Sequence, residues 1–312
     1  MNTAVHFTAA SETIVWRIGM SFVAHLINGI SLGSVYALIA LGYTMVYGIA
    51  KMLNFAHGDV IMIGGYVVFV TVSGMGLNPL ASIIISMAVC TVLGVTIERV
   101  AYRPLRGASP LAVLITAIGV SYFLQNVALL VFGSDTKAFT NVVTLPNLEL
   151  FDGQLVIKSV TIVTVIVSII IMVGLSLFVK KTKIGRAMTA VSEDKGAAQL
   201  MGINVNGTIA VTFAIGSSLA AVAGVLLCSA YPSLTPYTGS MPGIKAFVAA
   251  VFGGIGSIPG AFIGGILLGV IENLSKAYIS SQLADAIVFS ILIIVLLVKP
   301  TGLLGKKIQE KV

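Results

Sequence analysis

The sequence predicts an all-α fold, a polytopic transmembrane helical bundle of eight or nine spans, for three reasons. Of 312 residues, 57% are hydrophobic and 9% charged, against about 25% charged in an ordinary soluble domain, and mean hydropathy is +1.07. Apolar runs near the roughly 20 residues that a helix needs to cross about 30 Å of hydrocarbon recur along the chain. These runs are continuous, broken mainly by Gly, Ser and Thr, and lack the alternation of membrane-spanning strands. Backbone in lipid must bond within its own segment, so the runs read as helices.

Taken in order, the spans are expected at 22–49, 59–77, 79–97, 110–132, 159–179, 208–230, 243–256, 258–278 and 282–298. The stretch from Ile18 to Ile49 exceeds one straight crossing. It is expected to tilt, to kink near Gly29 and Gly33, or to begin as an interfacial turn around Trp16. Segment 243–256 is short for a crossing and is either a true span or re-entrant, which is why the count stands at eight or nine.

Cations set the orientation. Lys51, then Arg99, Arg103 and Arg106, then the stretch Lys180–Lys195, then Lys299–Lys311 together hold 13 of the 18 Lys and Arg residues. Their place between apolar runs is the positive-inside pattern and puts them in the cytoplasm, so the net charge of +7 reflects membrane topology and not nucleic-acid binding. Loop 133–158 has no cationic excess and belongs outside; parity then puts the N-terminus outside and makes 243–256 a true span. Cys90 and Cys228 lie inside apolar runs and read as small packed side chains.

Small residues recur at four-residue spacing: Gly29 and Gly33; Gly256, Gly260 and Gly264; Gly216, Ala220 and Gly224. This keeps them near one helix face, where another backbone can approach, either within the bundle or from a partner subunit.

Three local constellations stand out. Asn54, Phe55, Ala56, His57, Gly58 and Asp59 form a polar knot between two spans. Asp59 is placed to cap a helix beginning at Val60, and the knot is either an ordering turn or an element of a solute path or gate. His57 and Asp59, two apart with no other His nearby, make a poor metal site. In the cytoplasmic stretch, Ser192 or Asp194 can cap a short helix over 195–201 that Gly202 stops, which gives a docking knob for a soluble partner. The run Phe252–Ala261 has the spacing G-x-G-x-x-x-G and follows no strand, so it reads as a tight turn between packed helices. Glu272 and Lys276 are spaced to pair along one helix face. No G-x-x-x-x-G-K-[ST] loop is present, so any ATP is bound by other subunits.

The residues Asn28-Gly29, Leu32-Gly33, Tyr36-Ala37-Leu38, Ala40-Leu41-Gly42, Tyr47-Gly48 and Asn54-Phe55-Ala56-His57-Gly58, with the ending Lys299-Pro300-Thr301-Gly302-Leu303-Leu304-Gly305, resemble permeases of the branched-chain amino acid ABC importers. The resemblance covers nearly the whole chain. It implies a single transmembrane permease domain over 1–312 with a cytoplasmic coupling segment at 180–207, and a multi-pass place in the bacterial inner membrane. It further implies a second related permease, two cytoplasmic ATPase subunits that bind ATP, and a periplasmic solute-binding protein. The chain itself would be a transport subunit and not an enzyme, with leucine, isoleucine and valine as leading solutes; a secondary transporter or channel is the rival reading.

On the same resemblance, helix 195–201 is the coupling helix. Importers of this kind carry a Glu-Ala-Ala…Gly pattern there, and this chain has Gly196-Ala197-Ala198…Gly202, with Gly where Glu is expected. Glu193, Asp194, Ala197, Ala198 and Gly202 are then the ATPase-contact candidates.

Overall fold

The computed structural model describes the backbone of residues 2–151, 153 and 155–305, and side chains from Gly19 onward. Asp152, the side chain of Trp16, and Lys306, Lys307 and Lys311 lie outside the described residues. Eleven α-helices are present among them: α1 (Asn2–Ala50), α2 (His57–Phe69), α3 (Pro79–Ile97), α4 (Pro110–Phe132), α5 (Ser159–Lys181), α6 (Lys183–Glu193), α7 (Lys195–Leu200), α8 (Val205–Ala230), α9 (Ser240–Gly253), α10 (Ile258–Tyr278) and α11 (Ala284–Val298).

Seven are long and apolar enough to cross a membrane: α1 from Gly19, α2 continued to Gly74, α3 continued to Leu105, and α4, α5, α8 and α10. The other two apolar helices, α9 and α11, are shorter. With 14 residues, α9 rises only about 21 Å, short of a full crossing.

Proline and short polar caps start several of these helices. Asn78, Ser109 and Ser257 each accept a hydrogen bond from the first turn of α3, α4 and α10, with Pro79, Pro110 and Pro259 just inside. The chain has two distinct ends. At one, β1 (Lys137–Ala138) of the long loop pairs with β4 (Ser233–Leu234) after α8, and β2 (Leu148–Leu150) pairs with β3 (Leu155–Ile157) as a hairpin. At the other, Lys51, Arg106 and Lys195 gather within electrostatic reach. Here Leu303 and Leu304 donate backbone hydrogen bonds of 2.9 Å to the Phe252 and Gly253 carbonyls, which seats the C-terminal turn on the end of α9. The cationic connections therefore share one end, as the charge pattern requires.

Glycine seams hold the bundle. A Cβ at Gly33 would stand 2.6 Å from the Ile266 carbonyl oxygen, and one at Gly29 would stand 2.8 Å from the Val270 Cα. Gly265 and Gly269 answer them from α10, against Ala37 and Gly33. Gly29 and Gly33 are thus contact positions on a continuous α1. Gly260 and Gly264 pack on Gly253 of α9.

Gly256 lies in the α9–α10 turn at φ +90°, outside the face that Gly260 and Gly264 share, and its Cα would stand 3.2 Å from a Cβ at Gly48 of α1, so it combines a turn conformation with close approach to that helix.

Because the α1–α10 seam is backbone on backbone, it has no side chain to rearrange. Gly33→Val should destabilise the protein by about 3 kcal/mol or more, at the upper end of overpacking costs. A drop in the melting temperature of detergent-purified protein, with loss of the monodisperse fraction, checks it.

Candidate functional site

Helix α1 ends at Ala50, and Lys51 takes a left-handed backbone at φ +58°. The chain then runs back alongside the helix it has just left. By His57 it has returned to Gly42, about two turns before Ala50. The imidazole lies so close to Gly42 that a Cβ there would collide with Nε2. Helix α2 thus begins inside the bundle, at a point set back from the end of α1, and segment 51–56 is re-entrant.

The knot is buried. Asn54 accepts a 2.9 Å hydrogen bond from the Tyr102 hydroxyl, and Phe55 packs on Phe247 at 5.7 Å. Tyr43 meets His57 edge-on at 4.8 Å. Nε2 of His57, 1% exposed, has no hydrogen-bond partner among the described residues.

Asp59 does not cap a helix beginning at Val60. The Asp59 and Val60 amides both bond to the Ala56 carbonyl, so the helix starts at His57 with Ala56 before it and no side-chain cap. The carboxylate turns instead to Gln125 of α4, whose Nε2 donates to Oδ1 at 2.9 Å. The same carboxamide reaches the Ser121 and Ser240 hydroxyls, each at 3.2 Å.

Ser240 opens α9, so two helix N-termini meet at this point. A Cβ on Gly58 would lie 2.6 Å from the Gly239 carbonyl oxygen, and one on Gly243 would lie 2.9 Å from the Gly58 Cα. Each N-terminus carries partial positive charge, and a carboxylate between them is favoured over a neutral side chain. Two helices, one reached from the cationic end and one from the loop end, thus abut at their N-termini around Asp59.

The second candidate group is assembled at the cationic end. Thr182 caps α6, and Asp194 caps α7 by accepting from the Ala197 amide at 2.9 Å. Of the two cap candidates in the sequence, Asp194 is therefore the one used; Ser192 bonds back to the Thr189 carbonyl. Gly202 ends the helix at φ +81°.

Ala197 faces outward with Glu193 and Asp194, whereas Ala198 is buried against the protein's own core. The most protruding side chains here are Leu200 and Met201, at 90% and 83% exposure. An adjacent apolar pair in a polar connection is the signal in the sequence that would have singled them out.

The two groups are tied together. Lys195, first residue of α7, donates to the Ala50 carbonyl at 2.9 Å, so a cation caps the C-terminus of α1 where the re-entrant segment departs. Burial, and then the Arg106 and Lys51 cations, hold its ammonium below the usual lysine range. Alongside, Arg106 bridges the buried Glu98 and Asn206.

Gln125, Ser240 and Tyr43 were not singled out from sequence. A lone carboxamide in an apolar span is itself a signal, but its partner stands 66 residues away. Removing the amide by Gln125→Leu takes away the Gln125 donor to Asp59 and leaves it Ser121 of the same helix. Loss of about 2 kcal/mol is expected, as for a buried hydrogen bond to a charged group, and thermal unfolding in detergent reads it.

A family model described as the branched-chain amino acid transport system permease component matches residues 25–297. The chain is 48% identical over 309 residues to the high-affinity branched-chain amino acid transport system permease protein LivH of Escherichia coli K12, covering 93% of this chain and 98% of that one. It is 48% identical over 303 residues to the corresponding permease protein BraD of Pseudomonas aeruginosa, at the same coverage. Among solved structures it is similar to PsaBC from Streptococcus pneumoniae in complex with Fab, at 15% identity and a TM-score of 0.41, over 91% of this chain and 92% of that one.

Proposed function

The chain belongs to the family of branched-chain amino acid transport system permeases, and from that premise we propose how its two assembled groups work together. It is the multi-pass membrane permease component of a bacterial ABC transport system for branched-chain amino acids, and not an enzyme. In our reading the whole chain is one transmembrane domain with its coupling segment at 180–207. It pairs with a second, related permease, takes solute from a periplasmic binding protein at the loop end, and rests on two cytoplasmic ATPases that bind the ATP.

Asn54, Phe55, His57, Gly58 and Asp59 are the gate on the solute path. Discontinuous helices meeting inside the bilayer are a recurrent way to place polar groups on a transport route. A turn in the backbone is tolerated at that depth only where protein or an aqueous path surrounds it. The unpartnered His57 Nε2 supports a gate with two arrangements, since a buried polar atom left unsatisfied in one state gains by finding a partner in another.

Glu193, Asp194, Ala197, Ala198 and Gly202 build the coupling knob. Of these, Ala197 with Leu200 and Met201 faces the motor, and Ala198 seats the knob on the permease.

The observation that carries this reading is the hydrogen bond from Lys195 to the Ala50 carbonyl. It joins the first residue of the knob to the last residue of α1, next to the left-handed Lys51 from which the gate segment swings. Motion of α7 is thereby delivered to the base of segment 51–56, a short rigid path between the two groups.

Reconstitution with the partner subunits tests it. Lys195→Met should leave assembly and ATPase activity in place and lower leucine uptake per ATP by about tenfold, the size of a typical coupling energy, while Lys195→Arg retains most of it. Unchanged uptake per ATP in the methionine variant would refute the linkage. Ala197→Trp should separate ATPase activity from uptake by blocking the seat of the knob, with membrane insertion intact, as read by the same two assays.

A further inference from the structure

Lys245 is 5% exposed on α9, a charged side chain in an apolar helix. Its ammonium donates to Glu272 Oε1 of α10 at 2.8 Å and lies 2.6 Å from Asp285 Oδ1 at the start of α11. Glu272 is fully buried, takes Lys276 at 2.5 Å on the same oxygen, and accepts the Tyr36 hydroxyl of α1 at 2.8 Å on the other. Two acids and two bases balance, so the cluster carries no net charge into the bundle. The pairing of Glu272 with Lys276 that the sequence suggests is only its rim.

The place of this cluster gives it meaning. The front of α9 bears Gly243 on Gly58, at the junction with α2. Lys245, two residues on, is turned about 200° away around the helix and faces the back. Behind α9, the buried Val248, Phe252, Leu268 and Val288 pack around a small apolar gap between α9, α10 and α11. To this packing the ion pairs add fixed polar contacts from the back of α9 to α10 and to the start of α11.

We propose that Lys245 is a positioning residue for transport: it anchors the back of α9 to Glu272 and Asp285 and so sets where Gly239, Ser240 and Gly243 stand against Gly58 and Asp59. It touches no solute and acts through the junction in front of it. This rests on the reading of that junction as the gate.

Truncating Lys245 alone would leave Lys276 as the one cation for both Glu272 and Asp285, an excess negative charge at the buried Glu272 whose folding cost would mask any loss of positioning. The informative variant is Lys245→Met with Glu272→Gln, which removes one charge of each sign, keeps an acceptor for Tyr36, and leaves only Lys276 and Asp285, whose side chains are 40% and 43% exposed. In the full transporter reconstituted with its ATPases and binding protein, this double variant should assemble and hydrolyse ATP within about twofold of wild type while leucine uptake per ATP falls about tenfold.

Asp285→Ala, at the exposed rim where folding is not at stake, should lower the same ratio by about threefold. Unchanged uptake per ATP in the assembled double variant, or in Asp285→Ala, overturns the proposal. If the double variant fails to assemble and Asp285→Ala is normal, the cluster is a folding element only, which overturns it equally. The wild-type complex separates the two claims: if it takes up no branched-chain amino acid with ATP, the gate reading fails, and if only the variants behave as wild type, the role of Lys245 fails.

Discussion

A backbone that turns back inside a bilayer must be wrapped by protein, and the rest of this structure follows from that constraint. Between Lys51 and Asp59 the chain re-enters the bundle beside the helix it has left. Between Tyr231 and Ser240 it enters from the opposite end, and the two helices that result start against each other at Gly58 and Gly239. Neither junction can be exposed to lipid. Helices α1, α3, α8 and α10 therefore close around them, and glycine at positions 42, 58, 239 and 243 lets backbone and ring surfaces come within contact distance.

Charge is distributed by the same logic. Helix α2 and helix α9 present their N-termini to one point, and Asp59, held by Gln125, sits there as the compensating carboxylate. The cations stand away from the junction. Lys195 caps the end of α1 below the re-entrant segment, and Lys245 holds the back of α9. Each of the two helices therefore has a lysine contact outside the junction, one at the end of α1 from which segment 51–56 departs and one on the back of α9.

Much of this was legible in the chain itself. The apolar runs gave nine helices at nearly their observed positions, because in hydrocarbon a long apolar run has one satisfactory backbone conformation. Asp194 and Gly202 delimited α7 correctly, since a cap and a left-handed stop are local chemistry. Asp59 was assigned a local cap and instead bonds to Gln125, because a carboxylate in an apolar surrounding goes to whichever donor is near in space. Gly256 matched the four-residue spacing of its neighbours, yet the helix break at Gly254 takes it out of that face.

By itself, then, the sequence determined the helical fold, the cationic end, the short helix after Asp194 and the family, since each depends on hydropathy, charge or motifs contiguous in the chain. Only the tertiary structure decided that α2 and α9 meet at their N-termini, that Gln125 and Ser240 join Asp59, that Lys195 reaches Ala50, and that Lys245 gathers Glu272 and Asp285. These are contacts between residues 27 or more positions apart. They are set by how backbones approach at glycine seams, and periodicity along one helix carries no record of which face of another helix will meet it.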